Sequence, residues 1–164
     1  MYKRQRLIRD GQTYLTSYDA LLENPARDTV LHGGDKVALV EDKRFFRSLG
    51  ASGREELIFF SQDRLTALDA LSLMGGIHDT RAAPKSVLIL REYPAGAVRF
   101  DDEGPNNQRA VFTIDLTTSD GLFSAGKFPI YPEDTVLATE SPVLRAEAAI
   151  RIFGTLTSFR SLAN

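Results

Sequence analysis

The chain has 164 residues, 43% of them hydrophobic and 26% charged, with 20 Lys and Arg against 22 Asp and Glu for a net charge of -2. This is globular composition with enough apolar material for a core, and it supplies no bulk electrostatic drive toward nucleic acid. There is no cysteine, which excludes disulfides, thiolate catalysis and thiolate metal sites.

The first segment, MYKRQRLIRDGQTYL, has the basic start of a signal peptide but lacks the apolar run that should follow. It reads as a strand, an abrupt start that is expected of a fragment of a longer chain. Asp10-Gly11 is a two-residue hairpin signal between Leu7-Ile8 and Tyr14. Ser17 is placed to cap a short helical turn over YDALLEN, which Asn24-Pro25 closes. TVLHGGDKVALV then reads as two short strands around Gly33-Gly34-Asp35. This first unit, residues 1–42, looks incomplete as a domain.

A second unit spans residues 43–140. FFRSLGA is a strand, interrupted by Gly50 and Gly53, and Leu57 to Phe60 is the next strand. Thr66 is an N-cap with Asp69 three residues later, the aspartate version of a capping box. Leu65, Leu68, Leu71 and Met74 are expected on one apolar face of a helix of about nine residues, with Gly75 at the C′ position. Ser86 to Glu92 is an apolar strand, and FDDEGPNNQ (Phe100 to Gln108) is an acidic loop. Val111 to Leu116 alternates as a strand, and SDGLFSAG is expected to make one capped turn that buries Leu122 and Phe123. FPIYPEDTVLAT gives a strand, a Pro-Glu-Asp turn and a last strand. The order β-β-α-β-β-β implies an α+β fold, a small mixed sheet packed on one short helix.

Residues 141–164 differ. Pro142 opens an amphipathic helix whose apolar stripes run through Val143, Ala146, Ile150 and Phe153 and through Leu144, Ala148, Ile152 and Leu156, with Arg145 and Arg151 on the polar side. No run of eighteen apolar residues occurs in it or elsewhere. Its broad apolar face needs a partner in the domain, a neighbouring subunit or lipid.

No chemistry assembles around the obvious candidates. His78 has Asp79 and Arg81 nearby but no further ligands at metal spacing, and His32 is distant in sequence. Gly75-Gly76 ends a helix instead of opening one, so no free N–H groups are placed for phosphate. Asp101, Asp102 and Glu103 form a solvated run without calcium-loop spacing. Arg6, Arg44, Arg47 and Arg54 interleave with Phe45 and Phe46, but without a positive excess they do not make a nucleic-acid surface. Asp79, Arg81 and Arg91 are expected to pair electrostatically, as a local loop clamp or as a charged contact between subunits. No catalytic residue, cofactor or metal is expected.

Residues 65–91, LTALDALSLMGGIHDTRAAPKSVLILR, resemble the bacterial outer-membrane polysaccharide export proteins in the part called the SLBB domain, a β-grasp-like unit. The matching positions are Leu65-Thr66, Ala70-Leu71, Met74-Gly75-Gly76, Asp79, Arg81-Ala82 and Pro84, then the strand to Arg91. Framing them are Gly34-Asp35 in a turn that resembles the end of a preceding repeat, the strand and turn with Gly50 and Gly53, and residues 112–139. The resemblance implies a β-grasp-like SLBB domain at 43–140 that follows the end of a similar unit. It also implies a non-catalytic part of an export channel: a homo-oligomer in the periplasm and outer membrane, contacting polysaccharide and an inner-membrane export partner. The terminal helix, with Arg145, Arg151, Ile152 and Leu156, stands where family members place a pore helix. About 17 residues at 1.5 Å rise give roughly 25 Å, just short of the roughly 30 Å hydrocarbon thickness. The chain carries no signal peptide or lipidation cysteine. The alternative reading is a soluble β-grasp ligand-binding module without pore function.

Overall fold

The computed structural model describes residues 2–50, 55–75, 85–99 and 104–140. Of the positions singled out above, Gly53, Arg54, Gly76, His78, Asp79, Arg81, Ala82, Pro84, Asp101, Asp102 and Glu103 lie outside the described residues, as do residues 141–164 of the expected terminal helix, with Arg145, Arg151, Ile152 and Leu156. Two compact units are present. Residues 1–44 with 59–65 make the first, and residues 45–58 with those from 66 onward make the second. Among the described residues no helix is long and apolar enough to cross a membrane.

In the first unit, β1 (Lys3–Arg9) and β2 (Gln12–Ser17) form the expected hairpin. Asp10 and Gly11 have φ of 50° and 77°, the double positive φ that a two-residue turn with the right twist demands. Ser17 Oγ accepts from Ala20 N–H and caps α1 (Tyr18–Glu23). The chain returns as β3 (Lys36–Glu41), which pairs antiparallel with β1 to give the order β2-β1-β3. The reading of TVLHGGDKVALV as two strands is corrected: residues before the glycines are irregular, and β3 alone enters the sheet. Segment 59–65 is tied to this unit by Arg44. Its guanidinium binds Asp42 at 2.7 Å, donates to the Asp63 carbonyl at 2.9 Å and lies 4.9 Å from the Phe60 ring centre.

The second unit is an α+β fold built on a mixed sheet of β4 (Phe45–Gly50), β5 (Leu57–Phe59), β7 (Ser86–Glu92), β8 (Arg109–Asp115) and β10 (Thr135–Thr139), in the order β5-β4-β10-β7-β8. Strands β6 (Leu65–Thr66) and β9 (Pro129–Ile130) are two-residue pieces, with α2 (Ala67–Leu73) and α3 (Ser119–Ala125) between the longer strands. β4 and β10 run parallel, while β10-β7 and β7-β8 are antiparallel. The capping box at Thr66 forms in full, with Asp69 N–H donating to Thr66 Oγ1 at 3.1 Å and Thr66 N–H donating to Asp69 Oδ2 at 2.9 Å. Gly75 takes φ of 115° just past the helix end, as a C′ glycine does.

The helix faces differ from the sequence reading in two places. α2 buries Ala67, Ala70, Leu71 and Met74, while Leu68 is 42% exposed. A seven-residue helix presents only two turns to the sheet, and the small alanines, not Leu68, occupy the close approach. In α3 the cap is Thr118, Ala125 is the buried residue, and Leu122 and Phe123 are 46% and 71% exposed. The expected burial of that Leu-Phe pair is therefore corrected. The apolar interior is built from Val87, Ile89, Ile114, Val136 and Ala138 of the sheet with the α2 face.

Gly50 ends β4 at φ of 89°, and a Cβ there would run into the Ala138 carbonyl oxygen of β10. The strands can lie at this spacing only without a side chain. Gly50→Ala is expected to destabilise the second unit by about 1–3 kcal/mol, measured as a lower midpoint of chemical denaturation. An unchanged midpoint would refute the close-approach account.

Candidate functional site: twin arginine–aspartate clamps and an open groove

Arg91 projects from the end of β7 and is 7% exposed. Its Nε donates to Asp134 Oδ1 at 2.9 Å and its Nη2 donates to Asp134 Oδ2 at 2.7 Å. Nη2 also donates to the Pro129 carbonyl at 2.7 Å. The carboxylate accepts once more, from Tyr131 N–H at 2.8 Å. Three rings surround the guanidinium: Tyr131 at 3.7 Å from the ring centre, and Phe112 and Phe128 at 5.5 Å. Burial works against the charge of Arg91, but the hydrogen bond and charge of Asp134 offset it and raise the pKa. Arg91 is therefore committed within the chain, and the acid it finds is Asp134, which the sequence reading did not consider.

The first unit repeats this arrangement atom for atom. Arg9 ends β1, its Nε donates to Asp35 Oδ1 at 3.0 Å, and its Nη2 donates to Asp35 Oδ2 at 2.6 Å and to the Val30 carbonyl at 2.8 Å. His32 N–H donates to Asp35 Oδ2 at 2.8 Å. In each unit the carboxylate takes an amide three residues before it, and the arginine takes a carbonyl five residues before it. Each aspartate closes a turn, with Asp35 N–H on the His32 carbonyl and Asp134 N–H on the Tyr131 carbonyl. The residue before each aspartate has positive φ, 98° at Gly34 and 70° at Glu133. Gly34 and Asp35 thus lie in this turn.

The strands agree as well. β1 lies antiparallel between β2 and β3 as β7 lies between β8 and β10, and Ile8 faces Lys36 as Leu90 faces Thr135. Leu7 pairs with Tyr14 and Val37, as Ile89 pairs with Phe112 and Val136. The surroundings do not agree. Val136 and Ala138 are 0% and 1% exposed, while their counterparts Val37 and Leu39 are 55% and 68% exposed. Above this face of the first unit lies a groove of about 650 Å³, lined by Gln5, Leu7, Tyr14, Thr16, Leu31 and Val37 among others.

Asp35 is held down to about 2 by the Arg9 hydrogen bond first and the His32 N–H second. No group of three or more His, Asp and Glu side chains among the described residues is placed to hold a metal. Arg44 and Arg47, weighed from sequence as nucleic-acid contacts, are engaged by Asp42 and Asp63 and by the Glu133 carbonyl respectively.

No protein-family model matches the chain. Curated relatives do. The capsule polysaccharide export protein BexD of Haemophilus influenzae is 28% identical over 162 residues, covering 93% of this chain and 41% of the relative. The chain is similar to polysaccharide export proteins. The capsule polysaccharide export outer membrane protein CtrA of Neisseria meningitidis is 26% identical, covering 93% of the chain and 42% of the relative. The EPS I polysaccharide export outer membrane protein EpsA of Ralstonia nicotianae is 27% identical, covering 91% and 37%. The chain thus spans about two fifths of the length of these curated relatives.

Two predictions follow from the clamps. Asp134→Ala strands a buried guanidinium, and a loss of about 3–5 kcal/mol is expected in denaturation of the second unit; a loss below about 1 kcal/mol would contradict the burial. For Asp35, whose folded pKa is depressed from 3.8 to about 2, the stabilisation is present above the unfolded value and disappears as pH falls through the folded one. The stability gap between the wild type and Asp35→Asn should be constant from pH 7 to about 5 and shrink as pH falls toward 2. A gap independent of pH would rule out the clamp as its source.

Proposed function

We propose that this chain is part of a polysaccharide export component of the outer membrane and periplasm, that it is not catalytic, and that it works by assembly. The observation that carries this reading is the similarity to capsule and exopolysaccharide export proteins, which runs through nearly all of the chain. The buried charges at Arg91 and Asp134 are spent on each other and on turn backbone, a use of charge for structure that fits a role in assembly.

In this proposal residues 43–140 act as an SLBB unit that packs against neighbouring copies in a ring, and residues 1–42 belong to a preceding unit of the same kind. Asp79 and Arg81 make the charged contact between subunits, and Arg91 holds β7 to the β10 turn. The terminal helix contributes to the glycan passage, with Arg145 and Arg151 toward water and Ile152 and Leu156 toward lipid or a neighbour. Polysaccharide and an inner-membrane export partner are the ligands. The reading as a soluble ligand-binding module is less favoured, because the relatives that span the chain are named for export.

Disrupting the gene in the source organism is expected to abolish surface polysaccharide while polysaccharide accumulates inside the envelope. Arg81→Glu should lower surface polysaccharide by an order of magnitude with the protein still present at wild-type level. Unchanged surface polysaccharide after disruption would overturn the proposal.

A further inference from the structure

The second unit turns three large apolar side chains outward at one spot. Leu122 and Phe123 of α3 are 46% and 71% exposed, and Leu68 of α2 is 42% exposed. They are contiguous. Gly126 caps α3 one turn after Leu122, whose carbonyl accepts the Gly126 N–H at 3.0 Å. A Cβ built at Gly126 would lie 3.9 Å from Leu68 Cδ2, so the missing side chain leaves a saddle between α2 and α3. Leu68, Leu122 and Phe123 stand around it. A single exposed leucine is ordinary, but an apolar surface shared by two helices asks for a cover. Beside it, α3 carries an exposed acid, Asp120, in its first turn.

Strand β10 delivers the segment that follows it next to this surface. Lys85 N–H donates to the Thr139 carbonyl at 2.8 Å, and Leu116 N–H donates to the Lys85 carbonyl at 2.9 Å. Thr139 and Leu116 are thus two strand spacings apart, about 10 Å. Leu116 is two residues before Thr118, the cap of α3. Residues 140–142 span about 10 Å when extended, so Pro142 can reach the start of α3. A helix that begins there and runs beside α3 climbs at the same rise of about 1.5 Å per residue. Ala146 then comes level with Leu122, and Ile150 with Gly126. Val143, Ala146, Ile150 and Phe153 make one apolar stripe of that helix. Arg145 falls within one residue of the level of Asp120 and has the opposite charge.

We propose that residues 142–153 fold back onto their own unit and cover the saddle at Leu68, Leu122, Phe123 and Gly126, with Arg145 paired to Asp120. The occupant is a segment of the same chain, and its tether to β10 holds it at high effective concentration. The docking itself does not need the export reading. Its consequence rests on that reading, in which the same stripe has to leave the saddle to enter the glycan passage. The saddle is then a holding place, and assembly draws the segment away only by binding it better than the saddle does.

The test uses the full chain, which has no cysteine of its own. Gly126→Cys places a single thiol in the saddle, at a helical φ of -69° where its Cβ meets nothing nearer than 3.6 Å. Its reaction with a water-soluble maleimide should speed up at least about tenfold when Ile150→Asp removes an apolar contact. Asp120→Arg should speed it up about twofold or more, and Arg145→Asp added to Asp120→Arg should restore the slow rate. In the chain without the thiol, hydrogen exchange of the α3 amides should be at least about tenfold slower than with Ile150→Asp alone. None of these rates should depend on chain concentration. Equal rates with and without Ile150→Asp overturn the proposal. So does protection that grows with chain concentration, which makes a second copy the occupant. Loss of surface polysaccharide on gene disruption together with an unprotected thiol overturns the docking and leaves the export reading standing.

Discussion

Both units depend on one device, an arginine at the end of a central strand gripping an aspartate that closes the turn before the next strand. The geometry settles several things together. Two parallel N–H···O bonds fix the guanidinium in the plane of the carboxylate. The remaining carboxylate capacity is taken by an amide of the turn itself, and a further donor of the arginine reaches the turn carbonyl. A turn with positive φ before the aspartate is thereby tied to the strand it must meet. Where that residue is Gly34 the conformation is inexpensive, and where it is Glu133 the clamp holds a non-glycine residue at φ of 70°. Register follows, since a slip of one residue would move the arginine to the other face of the sheet.

What the clamp does for stability differs between its two settings. In the second unit it is desolvated under three aromatic rings, and in the first the arginine side chain is 22% exposed. A buried pair recovers its desolvation cost only when its geometry is good and further hydrogen bonds are made, and the Arg91 clamp adds the Pro129 carbonyl and the Tyr131 N–H to its two ion-pair bonds. It sets the strand edges and faces of each unit.

Local signals in the sequence were legible. The Asp10-Gly11 hairpin, the Ser17 cap and the Thr66–Asp69 box each rest on neighbours within a few residues, and each formed as read. The resemblance to export proteins was legible for the same kind of reason, since its pieces occur in order along the chain. Partners across the sheet were not. Arg91 and Asp134 are 43 residues apart while Arg9 and Asp35 are 26 apart, because a long β7–β8 connection replaces the two-residue hairpin. The repeat is hidden by that difference, leaving Asp35-Lys36-Val37 and Asp134-Thr135-Val136 as the short common signal. Leu68, Leu122 and Phe123 were misplaced because apolar periodicity in a helix of two turns cannot say which side meets the sheet.

The central claim is that the two units are closed by equivalent clamps, and two amides report on it directly. His32 N–H and Tyr131 N–H each donate to the clamp carboxylate at 2.8 Å, from within turns. Native-state hydrogen exchange at neutral pH should find both protected, exchanging no faster than strand amides of β3 and β10 in their own units. Exchange of either amide at the rate of an open turn would contradict the account.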